Sequence, residues 1–191
     1  PVAINAATVA IDTDAAGNDG TVTFSSTIDS AAGTSRELDI VSATGNVTVT
    51  GAIGATTALA TLDINQAGGN GNITLTSNIG ADVNNAGVTG VSRIGNAATG
   101  DLSLDGTVYT TGDVTTYTGA AIDLGTADPT FTTSNDNITF GTGNVTIKDD
   151  LTVNSTGGAI SFAGSILGSA GTDDTVTLNA NGGGGAKTVS V

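Results

Sequence analysis

The sequence predicts an all-β chain wound as a parallel β-solenoid of about seven to eight coils. Three observations carry that expectation. A phrase recurs as Gly20-Thr-Val-Thr-Phe24, Gly45-Asn-Val-Thr-Val49, Gly71-Asn-Ile-Thr-Leu75 and Gly100-Asp-Leu-Ser-Leu104, so that its first apolar residue falls at Val22, Val47, Ile73 and Leu102, in steps of 25, 26 and 29 residues. Periods of this length mark solenoids, in which each repeat buries its apolar face only by stacking on its neighbours. A second apolar residue follows six positions later at Ile28, Ile53, Ile79 and Val108, and again at Ile166 after Ile160. A third beat comes about ten residues further on, in Leu38-Asp39-Ile40 and Leu62-Asp63-Ile64, with the two-residue alternation of a strand buried on one side. Three short strands per coil describe a three-sided solenoid.

The elements follow in order. Residues 1–20 form an incomplete first coil, with Val2/Ile4 and Val9/Ile11 as strand fragments before the loop 12–20. Coils over 21–99 are regular. Coils over 100–191 are less so: Ile122, Ile138, Val145, Ile160, Val176 and Val189 are 16, 7, 15, 16 and 13 residues apart. Either the coils shorten or the phrase now occupies more than one face. The second reading is favoured, because Ile138-Thr-Phe140 and Val145-Thr-Ile147 sit naturally on adjacent faces across the joint 141–144. The glycine-rich stretch 181–186 precedes a final strand, Thr188-Val-Ser-Val191. The chain reads as a single solenoid domain over 1–191, a rod about 35 Å long at the spacing of stacked strands. The alternative fold is a β-sandwich, since strands bounded by Gly and Asn also suit Greek-key domains. The recurring six-residue offset favours the solenoid.

Gly, Asn, Asp and Ser fill the joints, where the chain must turn and polar side chains can bond nearby backbone. Thr23, Thr48, Thr74, Thr146 and Thr177 read as outward strand residues, with a branched Cβ suited to extended backbone and a hydroxyl for water. The Asn-x-Thr triplets at Asn46, Asn72, Asn137 and Asn144 match a glycosylation acceptor, but a corner followed by a strand requires the same residues, and the corner is favoured.

Composition excludes several function classes. The 191 residues contain no Cys, Met, Trp or His, which removes thiol nucleophiles, imidazole acid–base chemistry and soft-metal ligands. The net charge of −14, with Arg36, Arg93, Lys148 and Lys187 as the only cations, argues against nucleic acid or anionic membrane as a partner. No apolar run is long enough to span a bilayer, so no membrane insertion is expected. The sequence opens without the charged and apolar regions of a signal peptide, so an exported form is expected to carry its leader outside this sequence.

Asp12-Thr-Asp14 followed by Gly17-Asn18-Asp19 has the opening of a calcium loop, with Thr23 where the twelfth-position Glu belongs. Asp12, Asp14 and Asp19 are thus the one metal candidate, Ca2+, and a plain turn explains them better; no other cofactor is expected. The adjacent pairs Asp149-Asp150 and Asp173-Asp174 point to opposite sides of a strand, so neither is an acid–base couple, and no enzymatic activity is expected. The threonine pairs Thr48/Thr50 and Thr74/Thr76 suggest an ice-binding array, which Asp105, Lys148 and Ala163 interrupt. Neither end offers a cap. The outer strands at Val2, Ile4, Val189 and Val191 are therefore expected to be assembly edges, pairing with copies of the chain or donating a strand.

The Gly-Asn-Val-Thr-Val and Gly-Asn-Ile-Thr-Leu phrases, the Ala/Gly/Thr/Asn-rich corners and the lack of Cys resemble the repeat regions of filamentous-haemagglutinin-like adhesins and autotransporter passengers of Gram-negative bacteria. That resemblance covers most of the chain and implies a right-handed parallel β-helix displayed outside the cell. The expected function is an extracellular or bacterial cell-surface structural protein that builds a fibre from copies of itself. The alternative is an adhesin or carbohydrate- or ice-facing module of a longer secreted protein, with surface glycans as partners.

Overall fold

The computed structural model describes residues 1–14, 19–125, 128–134, 136–169, 173–181 and 188–191. Its strands stack in parallel as a β-solenoid of about seven turns, and it contains no helix among those residues. Every strand-to-strand pairing is parallel, which rules out the antiparallel sandwich. Pairing successive repeats in parallel puts equivalent residues directly above one another, so each apolar position of the repeat becomes a column.

Three faces result. Face III carries the recurring phrase: Val22–Phe24, Val47–Val49, Ile73–Leu75, Asp101–Leu104, Ala121–Leu124, Asn144–Thr146 and Ile166–Leu167, seven strands in one sheet. Val22, Val47, Ile73, Leu102, Ile122, Val145 and Ile166 form one inward column, the first four spaced as the phrase predicted. Face II carries the third beat, from Thr8–Asp12 and Glu37–Val41 through Thr61–Ile64, Ser92–Ile94, Thr115–Tyr117, Ile138–Phe140 and Ile160–Phe162 to Val189–Ser190. Face I begins with Val2–Ile4 and Ile28–Ser30 and ends with Val108–Thr111, Thr130–Thr133, Leu151–Ser155 and Val176–Ala180. Single bridges at Ile53 and Ile79 join its two halves into a column Val2, Ile28, Ile53, Ile79, Tyr109, Phe131, Val153, Leu178.

The six-residue offset joins face III to face I at Ile28, Ile53 and Ile79 but fails at two of the expected places: Ile160 and Ile166 lie on faces II and III instead, and Val108 misses its column. Ile79 pairs with Tyr109, so the rung expected at Val108 is filled one residue later and Val108 is only half-buried. The larger aromatic ring fills the interior better there, and its hydroxyl accepts the Gly106 N–H at 2.7 Å.

Both explanations of the irregular second half hold. Ile138–Phe140 and Asn144–Thr146 do lie on adjacent faces. The coils also shorten: on face III the step from Leu102 to Ile122 is 20 residues, then 23 to Val145 and 21 to Ile166. The cause lies on face I. Two inward columns cross it, and in the later coils they are two residues apart, at Tyr109 and Thr111. In the next two coils the same two columns are held by Ile53 with Leu59 and by Ile79 with Val88, so the chain makes outward excursions over 54–58 and 80–87. The coil before them keeps Ile28 and Ser30 two residues apart and takes its extra residues at the following corner, 31–36.

The core changes character along the stack. It is aliphatic in the early turns and aromatic in the later ones, where Tyr109 stacks on Phe131 (4.6 Å, 8°) and Tyr117, Phe140 and Phe162 form a second stack (5.4 Å and 4.5 Å). The stacks meet edge to face, Phe131 lying 5.2 Å from both Tyr117 and Phe140. At the tight corner between faces I and II the inward residues are hydroxyls instead. Thr133 and Ser155 both donate to the Asp136 carbonyl, and Ser155 Oγ accepts the Gly158 N–H, so buried corner backbone is paired without water.

On the outward side of face II, Asp39, Asp63 and Arg93 stand in one column. Arg93 makes a bidentate pair with Asp63, at 2.7 Å from Nε and 2.6 Å from a terminal nitrogen. Partial burial, then the Asp63 and Asp12 carboxylates, raise the Asp39 acid above its ordinary value of 3.8, against Arg93 and the Ile40 N–H, which lower it. A raised carboxyl favours the fold while protonated, and that contribution is lost as the pH climbs through the raised value. Asp39→Asn should therefore melt higher than the parent at pH 7 and together with it at pH 3, in paired thermal scans.

Candidate functional site

The excursion over 80–87 builds a concave feature of the surface. Its tip is a tight turn in which Asp82 Oδ1 accepts the N–H groups of Asn84 and Asn85, at 2.7 Å and 3.1 Å, and Oδ2 accepts the Asn85 side chain at 2.8 Å. Those bonds hold the Asp82 carboxyl below the usual carboxylate range, the Asn84 N–H first among them. The turn is fastened to the body by Gly87 N–H to the Thr110 carbonyl (2.9 Å) and by Thr110 Oγ1 to the Asp82 carbonyl (2.9 Å). Gly54 lies under it and Gly80 opens it, both at positive φ; a side chain at Gly54 would collide with the Gly87 carbonyl and one at Gly80 with the Asn85 carbonyl, so the loop can seat only with glycine at both.

Beyond the turn, face I continues without an excursion. Thr110, Thr132, Asn154 and Asn179 follow one another in its outward column, and the turn covers the first of them. A groove of about 440 Å³ results, with Thr132, Asn154 and Asn179 in its floor and Val83 and Asn84 in its wall. Asn179 donates to Asn154 Oδ1 at 2.8 Å. Val83 is 43% exposed, and Thr132 Oγ1 is shielded from solvent with no hydrogen-bond partner. Among the described residues no charged side chain lines the groove, and the chemistry they offer is that of amides, hydroxyls and one apolar contact.

This groove has one legible sign in the sequence: the 29-residue step from Ile73 to Leu102, longer than the 25 and 26 before it, which marks an insertion. What the insertion would stand over depends on the register of face I, which the offset rule misplaces at Val108.

The expected metal residues are placed as follows. Asp12 Oδ1 accepts the Asp14 N–H at 2.9 Å, and Asp19 Oδ2 accepts the Thr44 hydroxyl, while Gly17 and Asn18 lie outside the described residues. A different set converges: Asp128, Asp149 and Asp150, all exposed, can each offer one oxygen within 4.8 Å of the others. Two of its carboxylates also serve the backbone, Asp149 Oδ1 accepting the Asp150 N–H and Asp150 Oδ1 the Thr175 N–H.

The corner asparagines act along the stack. Asn46 Oδ1 accepts the Asn72 N–H at 3.0 Å, Asn72 Oδ1 the Asp101 N–H at 3.0 Å, Asn137 Oδ1 the Ala159 N–H at 2.7 Å and Asn144 Oδ1 the Ser165 N–H at 3.2 Å. Each satisfies a backbone donor of the next coil where the ladder is broken by the turn. The outward threonines stand in the face III column at Thr23, Thr48, Thr74 and Thr146, but Ser103 and Asp123 interrupt it, so no flat threonine array forms. Of the expected edge residues, Ile4 is buried at 3%, Val2 is half-buried, and Val189 and Val191 are exposed at 42% and 73%.

Comparison of the chain with protein-family models, with curated proteins and with solved structures finds no match.

Proposed function

We propose that this chain is an extracellular structural solenoid that extends into a fibre by stacking the last coil of one copy on the first coil of the next. The observation that supports this is the match between its two ends. Val2–Ile4 and Val176–Ala180 belong to face I, and Thr8–Asp12 and Val189–Ser190 to face II, all parallel and all with one edge unpaired among the described residues. Bringing copies together end to end continues both faces in register, with Leu178 beneath Val2 and Val189 beneath Val9. Backbone pairing of this kind is cumulative along a solenoid. The repeat style it shares with filamentous-haemagglutinin-like and autotransporter proteins supports the same reading.

The charge of −14 per copy opposes association at low salt, and screening within about 8 Å at physiological ionic strength relieves it. Electron microscopy over a concentration series at both salt levels tests the proposal. Uniform fibres with an axial repeat of about 38 Å, the height of the eight rungs on each continued face, more abundant at the higher salt, are expected, and Val191→Asp should abolish them while the circular dichroism of the body is retained. Isolated short rods at every concentration and salt would overturn it.

A further inference from the structure

We propose that the groove between the 80–87 excursion and the outward column of face I is a binding site for a neutral oligosaccharide. This goes beyond the fibre reading and does not depend on it, since the groove opens on the outward side of the sheet whereas stacking uses its strand edges.

Three observations carry the assignment. The lining is uncharged among the described residues, in a chain whose net charge is −14, and the one carboxylate of the excursion tip, Asp82, is held by both oxygens inside its own turn. A cation would find no ligand set there, and a polyanion would be repelled by the molecule as a whole. Next, the floor is periodic. Thr132, Asn154 and Asn179 recur at the strand spacing of about 4.8 Å, close to the advance per sugar of an extended glycan, so each rung meets one repeating unit. The Asn154–Asn179 bond uses one donor and one acceptor and leaves the Asn154 amide N–H groups and Asn179 Oδ1 for a ligand. Finally, Thr132 Oγ1 lacks a partner and is shielded from solvent, which is costly for a hydroxyl, and a rotation about its χ1 that turns it toward the groove would give it a sugar hydroxyl to bond. Val83 gives the apolar face of a pyranose ring its contact.

The test is calorimetric titration of the whole chain, kept at a concentration where it remains as single rods, with chitohexaose, cellohexaose and maltohexaose in turn. At least one is expected to bind saturably below the millimolar range. Asn154→Ala should weaken that binding about tenfold, the loss of one hydrogen bond to a neutral group, and Asn84→Ala should weaken it without touching the sheet. Thr132→Val is the discriminating variant: it removes the unpaired hydroxyl, so binding should fall while the melting temperature holds or rises. Thr74→Ala on face III should leave affinity unchanged. The proposal is overturned if none of the three sugars binds, if binding survives the groove variants, or if a hyaluronan hexamer binds more tightly than all of them. Failure of the fibre experiment leaves these outcomes unaffected, and the reverse holds too.

Discussion

Phe140→Ala should cost about 3–5 kcal/mol of folding stability, the largest loss expected of any aromatic truncation in this chain. Phe140 is fully buried at the centre of the aromatic core, stacked on Phe162 at 4.5 Å and on Tyr117 at 5.4 Å, with Phe131 edge-on at 5.2 Å. Truncation therefore opens a cavity walled by three rings, each fixed by strand pairing to a rung it cannot leave. The surroundings cannot close without breaking the register that positions Ile138–Phe140 between Thr115–Tyr117 and Ile160–Phe162. Urea denaturation measures the loss. Phe24→Ala is the comparator: Phe24 is only half-buried and belongs to no aromatic stack, so its truncation should cost less than half as much. A second readout locates the damage. Burial pushes the Tyr117 phenol well above its ordinary value of 10.0, so an absorbance titration of the parent should show no tyrosinate forming there at pH 10, and Phe140→Ala should bring some of it back. Equal losses from Phe24→Ala and Phe140→Ala would mean that neither the fuller burial nor the stacking of Phe140 contributes.

The solenoid was legible because its information is repeated. Phrases of the form Gly-x-apolar-Thr-apolar 25 and 26 residues apart leave a parallel stack as the arrangement that buries every copy of the same position. The corner role of Asn46, Asn72, Asn137 and Asn144 was legible for the same reason, since turn chemistry is local and its residue types are few. Face I was not. Its middle turns are marked only by Ile53, Leu59, Ile79 and Val88, in which apolar residues six and nine positions apart occupy columns that lie two residues apart elsewhere. Alternation, the signal by which a strand is read, is absent from such a turn.

The groove was hidden by the same circumstance. Thr132, Asn154 and Asn179 share no phrase, and each alone is an ordinary outward strand residue. They become a site because the 80–87 excursion ends beside them, and the excursion stands where it does because Gly54 and Gly80 let it lie flat on the turns beneath. A site made by one coil's departure from the repeat is invisible to any reading that looks for the repeat.

Gly71→Ala should be at least as damaging as Phe140→Ala, although it adds a single methyl. Gly71 opens the phrase that begins at the corner before face III, and the same corner is held in successive turns by Gly20, Gly45, Gly71, Gly100, Gly119, Gly143 and Gly164. A Cβ on Gly71 would overlap the Gly45 carbonyl oxygen and lie 2.6 Å from its carbon and 3.0 Å from the Thr44 oxygen. All three are main-chain atoms, so no rotamer change relieves the contact. The coils must part, and parting them strips the hydrogen bonds between Val47–Val49 and Ile73–Leu75 that begin two residues on. Gly68→Ala controls for backbone entropy, because a methyl there meets nothing within 4 Å; it should be neutral or stabilising by up to about 1 kcal/mol. In hydrogen exchange, Gly71→Ala should lose protection first at the amides of 45–49 and 71–75, and the aromatic turns beyond Tyr109 should keep theirs, since each turn of a solenoid contacts only its neighbours. Uniform loss along the whole chain would instead show that the turns unfold as one unit.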